Sequence, residues 1–178
     1  MTGSKTPASL QLLSTSRAFQ DELCNMIDST QMFRDLDWRD IQTLAGYMQV
    51  YRAEQGATLF EEGDSGDYLC LIIKGKVDVA KADQHRHRKI VATIRPGKTL
   101  GEMAIFDGEP RSAGAVAAEP TTLALLTKAD FYRITSEKPA LANKILLRLA
   151  RLLSQRLRQT SGILVDYLEG EAGQEAEV

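Results

Sequence analysis

Hydrophobic positions change their period twice along the chain. From Leu10 to Met48 apolar residues recur at helical spacing, as Phe19, Leu23, Met26 and Ile27 and then as Trp38, Ile41, Leu44, Ala45 and Met48, which predicts two helices. Asp37 stands three residues before Asp40 at the head of the second set, as an N-cap does before a first-turn acid, so that helix is expected to begin at Trp38. Between Gln49 and Lys128 the pattern shortens to runs rich in Val, Ile, Leu, Thr and Tyr, punctuated by Gly56, Gly63, Gly66, Gly75, Gly97, Gly101, Gly108 and Gly114. Strands are predicted near 49–53, 58–60, 68–74, 76–81, 89–94, 113–118 and 121–127, the texture of a small β-barrel or sandwich. The polar stretch from Asp83 to Lys89 falls between two of them and reads as a solvated hairpin loop rather than a nucleic-acid patch.

Past Lys128 the helical period returns. Thr127 and Asp130 form a capping pair opening a short helix through Phe131 and Ile134. Pro139 suits the first turn of a longer helix running to about Leu168. The acidic, glycine-containing stretch from Glu169 to Val178 is expected to be disordered.

Composition narrows the class. At 178 residues, 43% apolar and 26% charged, the chain fits one globular domain with appendages and has enough apolar matter for a core. The runs Tyr68–Ile73 and Leu123–Leu126 fall far short of the roughly 20 residues of a membrane span. The N-terminus has no apolar signal segment, so a cytoplasmic protein without membrane association is expected. Cys24 and Cys70 lie far apart without ligand spacing, and only His85 and His87 could join them, so no metal site is expected. A net charge of −2 gives no overall field to attract nucleic acid.

The stretch Leu100–Ala113 carries the chemistry. It interrupts the strands with one helical turn, preceded by Gly101 and followed by Arg111. Leading amides of a helix have no intrahelical partner and attract anions. Arg111 can offer two parallel N–H bonds to a phosphate, and Glu102 can accept from hydroxyls such as those of a ribose. A receptor for a sugar phosphate of low charge fits these residues; so does a buried Glu102–Arg111 ion pair closing a loop. Glu102 as a general base would lack a nucleophile, metal ligand or second acid beside it, so no enzyme is expected.

Leu100-Gly-Glu-x-Ala-Ile, five residues, then Arg111-Ser-Ala-x-Ala-x-Ala117 resembles the phosphate-binding cassette of cyclic-nucleotide-binding domains. Leu59-Phe-Glu-Glu-Gly63-Asp-Ser-Gly66-Asp and the following Tyr68–Val77 segment with Gly75 resemble the same family, although Phe60 is larger than the residue usual there. The resemblance spans about residues 33–165. It implies an α+β fold: a β-roll, a jelly-roll-like double-sheet barrel of about eight strands, with N-terminal helices, a short phosphate-cassette helix and a long C-terminal dimerisation helix. The expected organisation is a partly helical N-terminal extension (1–32), a cyclic-nucleotide-binding β-roll (33–136), a dimer helix (137–168) and the tail (169–178). The resemblance further implies that Gly101, Glu102 and Ala104 line the ribose phosphate, that Arg111 and Ser112 hold the cyclic phosphate, and that Met103 and Ala113 belong to the same pocket. No cofactor is expected beyond the nucleotide itself.

In the last helix Leu146, Ala150, Leu153, Leu157, Thr160, Leu164 and Tyr167 follow alternating spacings of four and three, a heptad seam suited to a parallel homodimer. Ile145, Leu149 and Leu152 form a flanking apolar stripe. Lys144, Arg148, Arg151, Arg156 and Arg158 make the helix basic, either as a solvated face or as a contact for an acidic partner or lipid. The stretch Gln155–Ser161 resembles the dimer helix of the bacterial catabolite activators, in which the matching Thr and Ser meet the adenine of cyclic AMP; this implies that Thr160 and Ser161 bind ligand across the dimer. Gly162 is expected to weaken the helix by about 1 kcal/mol relative to alanine, making the segment to Leu168 the site of a ligand-driven coil-to-helix change. Ten residues remain after Leu168, where those regulators continue into a DNA-reading domain. A free-standing sensor is therefore expected, or one whose effector domain has been removed, without sequence-specific DNA binding and with output through a protein partner. Cyclic AMP is the expected ligand, with cyclic GMP, cyclic di-GMP and a vestigial pocket in a structural dimer as alternatives.

Overall fold

A computed structural model of the chain describes residues 9–13, 17–83, 85 and 87–175. Two segments with unbroken apolar runs, β4 (Tyr68–Lys74) and β9 (Thr121–Thr127), form the centre of the fold. They pair antiparallel, with Leu69 opposite Leu126 and Cys70 opposite Leu125, and nearly every side chain along both is buried. Short continuous apolar runs of this kind are read as strands covered on both faces. Around them a five-stranded sheet runs in the order β1-β2-β9-β4-β7, adding β1 (Leu10–Leu12), β2 (Gln49–Ala53) and β7 (Thr99–Leu100). A second sheet runs β3-β8-β5-β6, from β3 (Thr58–Phe60), β8 (Gly114–Ala117), β5 (Val77–Ala82) and β6 (Arg88–Ile94).

Alternate residues of both sheets meet in one core. Tyr51, Ala53, Tyr68, Cys70, Ile72, Leu123 and Leu125 come from the first sheet, and Leu59, Phe60, Val77, Ala115 and Ala117 from the second. The intervening residues Val50, Leu69, Leu71, Ala124 and Leu126 are buried as well, on the opposite face of the first sheet. The double-sheet jelly roll is as expected, but the sheets do not close into a barrel: β1, β7, β3 and β6 remain edges. Among the described residues there are nine strands, in line with the expected eight or so. Leu10 to Leu12, placed by periodicity at the head of a helical region, instead pairs with β2, Leu10 opposite Ala53. Three residues are too few to show a period, and the buried Leu10 joins the core cluster by adding to an edge of the sheet.

The helices start where side-chain caps put them. In α2 (Trp38–Ala45) the Asp37 carboxylate accepts from the Asp40 amide at 2.9 Å. In α4 (Lys128–Glu137) Thr127 Oγ1 accepts from the Asp130 amide at 3.0 Å and donates to its carboxylate at 2.7 Å. The N-terminal helix α1 (Arg17–Asp28) lies within the extension expected over residues 1–32, and residues 1–8 are outside the described residues. One turn, α3 (Met103–Phe106), follows β7.

The chain divides into two compact units at Ala142/Asn143. The second consists of helix: α5 runs from Pro139 to Glu175 without a break at Gly162. It passes the expected end at Leu168, so residues 169–175 are helical rather than disordered; residues 176–178 lie outside the described residues. The physical reason is that the stretch is rich in Glu, Ala and Gln, good helix formers, and each glycine costs only about 1 kcal/mol. Along α5 the seam residues Leu146, Leu157 and Leu164 are exposed, Leu157 at 68%. The Tyr167 side chain is outside the described residues.

Candidate functional site

The Gly101–Ala113 segment is built around one buried cation. β7 ends at Leu100, Gly101 turns the chain at φ +77°, and Glu102 takes the cap position of α3. Ten residues after Gly101 the chain returns with Arg111, which is only 3% exposed. Its Nη1 donates to the Gly101 carbonyl and its Nη2 to the Tyr68 carbonyl, both at 2.7 Å. The guanidinium lies 4.2 Å from the Phe60 ring centre and 4.7 Å from that of Tyr68, so two aromatic faces supply favourable quadrupole contacts. A guanidinium carries five N–H donors. The buried Nε–H of Arg111 has no hydrogen-bond partner among the described residues.

The main chain of Arg111 is pinned too. Its amide donates to the Asp64 carbonyl and its carbonyl accepts from the Gly63 amide, each at 2.8 Å. Glu102 is 1% exposed, and Ala104 is buried beneath the turn while Met103 faces outward. Ser112 is exposed at the mouth of the segment and Ala113 half-buried. These seven expected site residues all lie in the first unit, where Gly101 and Arg111 are in direct hydrogen-bond contact. Thr160 and Ser161 belong to the second, on exposed turns of α5, where Ser161 Oγ donates to the Leu157 carbonyl at 2.9 Å.

Burial governs the protonation of the surrounding groups. It holds the Tyr68 phenol well above its ordinary range, against the lowering effect of Arg111, and the hydroxyl donates to the Leu59 carbonyl at 2.6 Å. The Cys70 thiol is pushed up to about 12, mainly by burial, with Arg111 opposing and Glu102 assisting. Cys70 is thus a protonated core residue. Among the described residues no group of three or more His, Cys, Asp or Glu side chains is placed to hold a metal ion.

Three further residues shape the surroundings of Arg111. Phe60 and Tyr68 stack on Arg111, and the only signal in the sequence is that each is an aromatic at a strand end beside a turn. Gly66 is the third. Its backbone is not in the left-handed region, yet a Cβ there would lie 2.2 Å from the Ala104 Cβ and 3.0 Å from Arg111 Nε. The glycine lets loop 64–67 pass against α3 and the arginine, a packing role that its position in a turn-like motif does not reveal.

Both the sequence and the fold of this chain are similar to those of known proteins. The sequence profile of the cyclic nucleotide-binding domain matches residues 51–138. The crystal structure of a cyclic nucleotide-binding domain from Methylobacillus flagellatus superposes with a TM-score of 0.75 at 36% identity, covering 85% of each chain. The chain belongs to the cyclic nucleotide-binding domain family. The cyclic AMP receptor protein of Thermus thermophilus is 33% identical over 128 residues, 72% of this chain and 57% of that protein. The crystal structure of the Thermus thermophilus catabolite activator protein matches with a TM-score of 0.69 at 31% identity, over 78% of this chain and 62% of that one. The chain thus spans a little under three fifths of the length of the curated receptor protein that it matches. Among the described residues, no helix of this cyclic nucleotide-binding domain is long and apolar enough to cross a membrane.

Proposed function

We propose that this domain binds a 3′,5′-cyclic purine mononucleotide, cyclic AMP before cyclic GMP, and signals as a homodimer through α5 to a protein partner. The observation that carries the reading is Arg111. Both of its terminal nitrogens are anchored on carbonyls and its buried Nε–H is left over, so a cation is fixed beside a short helix with donor capacity unspent. A singly charged cyclic phosphate matches one guanidinium, and the buried Glu102 offers an acceptor for the ribose hydroxyl. The Thermus relative is by name a cyclic AMP receptor.

Binding must raise stability by mass action. At one hundred times Kd the gain is about 2.7 kcal/mol, which in a chain of this size corresponds to about 5–10 °C in Tm. Cyclic AMP is expected to produce that shift in a thermal melt, cyclic GMP a smaller one, and cyclic di-GMP and 5′-AMP none. No shift with any of the four would overturn the reading in favour of a vestigial pocket.

The purine preference is assigned to Thr160 and Ser161 supplied by a second copy. Their hydroxyls can accept from the adenine amino group, whereas Ser161 Oγ, its proton given to the Leu157 carbonyl, has none to offer the carbonyl that guanine presents there. Thr160→Ala is expected to lower the cyclic AMP to cyclic GMP affinity ratio by about fivefold, the scale of one hydrogen bond near 1 kcal/mol, as read by calorimetry; an unchanged ratio refutes the assignment. The exposed heptad seam of α5 is the proposed dimer contact. Glutamate at both Leu153 and Leu157 would bring four like charges to it, and sedimentation at micromolar protein should then give monomers where the parent chain gives dimers.

A further inference from the structure

Two acids follow β3 in succession, Glu61 and Glu62, and adjacent like charges hold their places when each finds its own partner. The Glu62 carboxylate accepts from the Ala82 amide at 2.9 Å, and Lys81 Nζ stands 4.0 Å from its other oxygen. Glu61 pairs with Arg88. Ala82 and Arg88 face each other across the last rung of the β5–β6 hairpin, so the two carboxylates grip one rung from both strands. That rung is closed just beyond, where the Asp83 amide donates to the His87 carbonyl at 2.9 Å.

The same loop holds the site. The Glu61 amide donates to the Asp64 carboxylate at 2.8 Å, tightening residues 61–64 into a turn. From that turn the Gly63 amide and the Asp64 carbonyl bond the main chain of Arg111 on both sides. A continuous path therefore runs from the tip of the hairpin, through two carboxylates, to the backbone of the buried arginine.

We infer that Glu61 and Glu62 are positioning residues for Arg111, setting nucleotide affinity by clamping loop 61–64 to the end of the β5–β6 hairpin. The inference rests on the functional reading above and adds to it residues outside the phosphate cassette. The four charged side chains are between 37% and 56% exposed, so salt should weaken the clamp. The buried hydrogen bonds of Arg111 are screened much less.

The test uses the full chain with Glu61→Gln and Glu62→Gln together, which removes both charges and keeps side-chain acceptors. Amide hydrogen exchange at Gly63 and Arg111, measured without ligand at about 20 mM NaCl, should be about three- to tenfold faster than in the parent, the scale of two exposed ion pairs. Cyclic AMP affinity should fall by a similar factor. At about 500 mM NaCl the variant and parent should agree within twofold in both measurements. Exchanging the charges, Glu61→Arg with Arg88→Glu, should bring both readouts back to within about twofold of the parent. Unchanged exchange at Gly63 and Arg111 at low salt would overturn the clamp, as would a loss of affinity that persists at high salt and is not restored by the exchange. Failure of the parent chain to bind cyclic AMP would instead overturn the functional reading, which the ligand-free exchange measurement does not depend on.

Discussion

Arg111→Ala is expected to weaken cyclic AMP binding at least thirtyfold by calorimetry, about 2 kcal/mol, because it removes a charge-assisted contact to phosphate. The substitution also touches the fold. Arg111 packs against both the Phe60 and Tyr68 rings and satisfies the Gly101 and Tyr68 carbonyls. Leaving a buried acceptor unpaired costs about 1–3 kcal/mol, so Tm should fall together with affinity. Arg111→Lys separates the two effects. A lysine keeps the charge and much of the packing but is a compact point charge without the planar fork, so it cannot hold both carbonyls and still offer the donor that Nε provides. The lysine variant should lose less stability than the alanine variant while binding about tenfold more weakly than the parent. A folded alanine variant of unchanged affinity would show that the phosphate does not sit on Arg111.

What could be read in advance follows from how local each feature is. Asp37 and Thr127 mark the starts of α2 and α4 because a cap is an interaction over three residues. β4 and β9 are evident because their apolar runs are unbroken. The Gly101–Ala113 segment is legible as one unit because its residues lie close in sequence, even though the main-chain anchors of Arg111 come from Gly63 and Asp64. β1 and β7 are not legible: strands of three and two residues carry no period of their own and exist because a neighbouring edge accepts them. The stacking of Phe60 and Tyr68 on Arg111 joins positions 51 and 43 residues away, a relation only the folded sheets create. The far end of α5 differs from the disorder that an acidic composition suggests because its Glu, Ala and Gln residues have high helix propensity.

Gly66→Ala is expected to weaken both the fold and cyclic AMP binding through a single added methyl. Its cost is steric rather than conformational: the new Cβ would sit 2.2 Å from the Ala104 Cβ and about 3.0 Å from Arg111 Nε. Neither neighbour can give way freely, since Ala104 is backbone-bound in α3 and Arg111 is held by two side-chain and two main-chain hydrogen bonds. Overpacking of a close-packed site costs typically about 1–3 kcal/mol, and here relief requires moving α3 or the arginine, both parts of the ligand site. Affinity for cyclic AMP should therefore drop about tenfold or more while Tm falls by about 5–10 °C. Gly56→Ala is the control. Its φ of +82° makes a side chain strained, but nothing lies within 4 Å of its would-be Cβ, and its amide donates to the Ala117 carbonyl rather than to Arg111. It should lose about 1–2 kcal/mol of stability with affinity changed less than threefold. Adding Ala104→Gly to Gly66→Ala removes the shortest contact and should recover part of the lost affinity even though glycine in α3 costs helix stability. If Gly56→Ala and Gly66→Ala weaken binding equally, or if Ala104→Gly restores nothing, the close approach of loop 64–67 to the arginine is not what shapes the site.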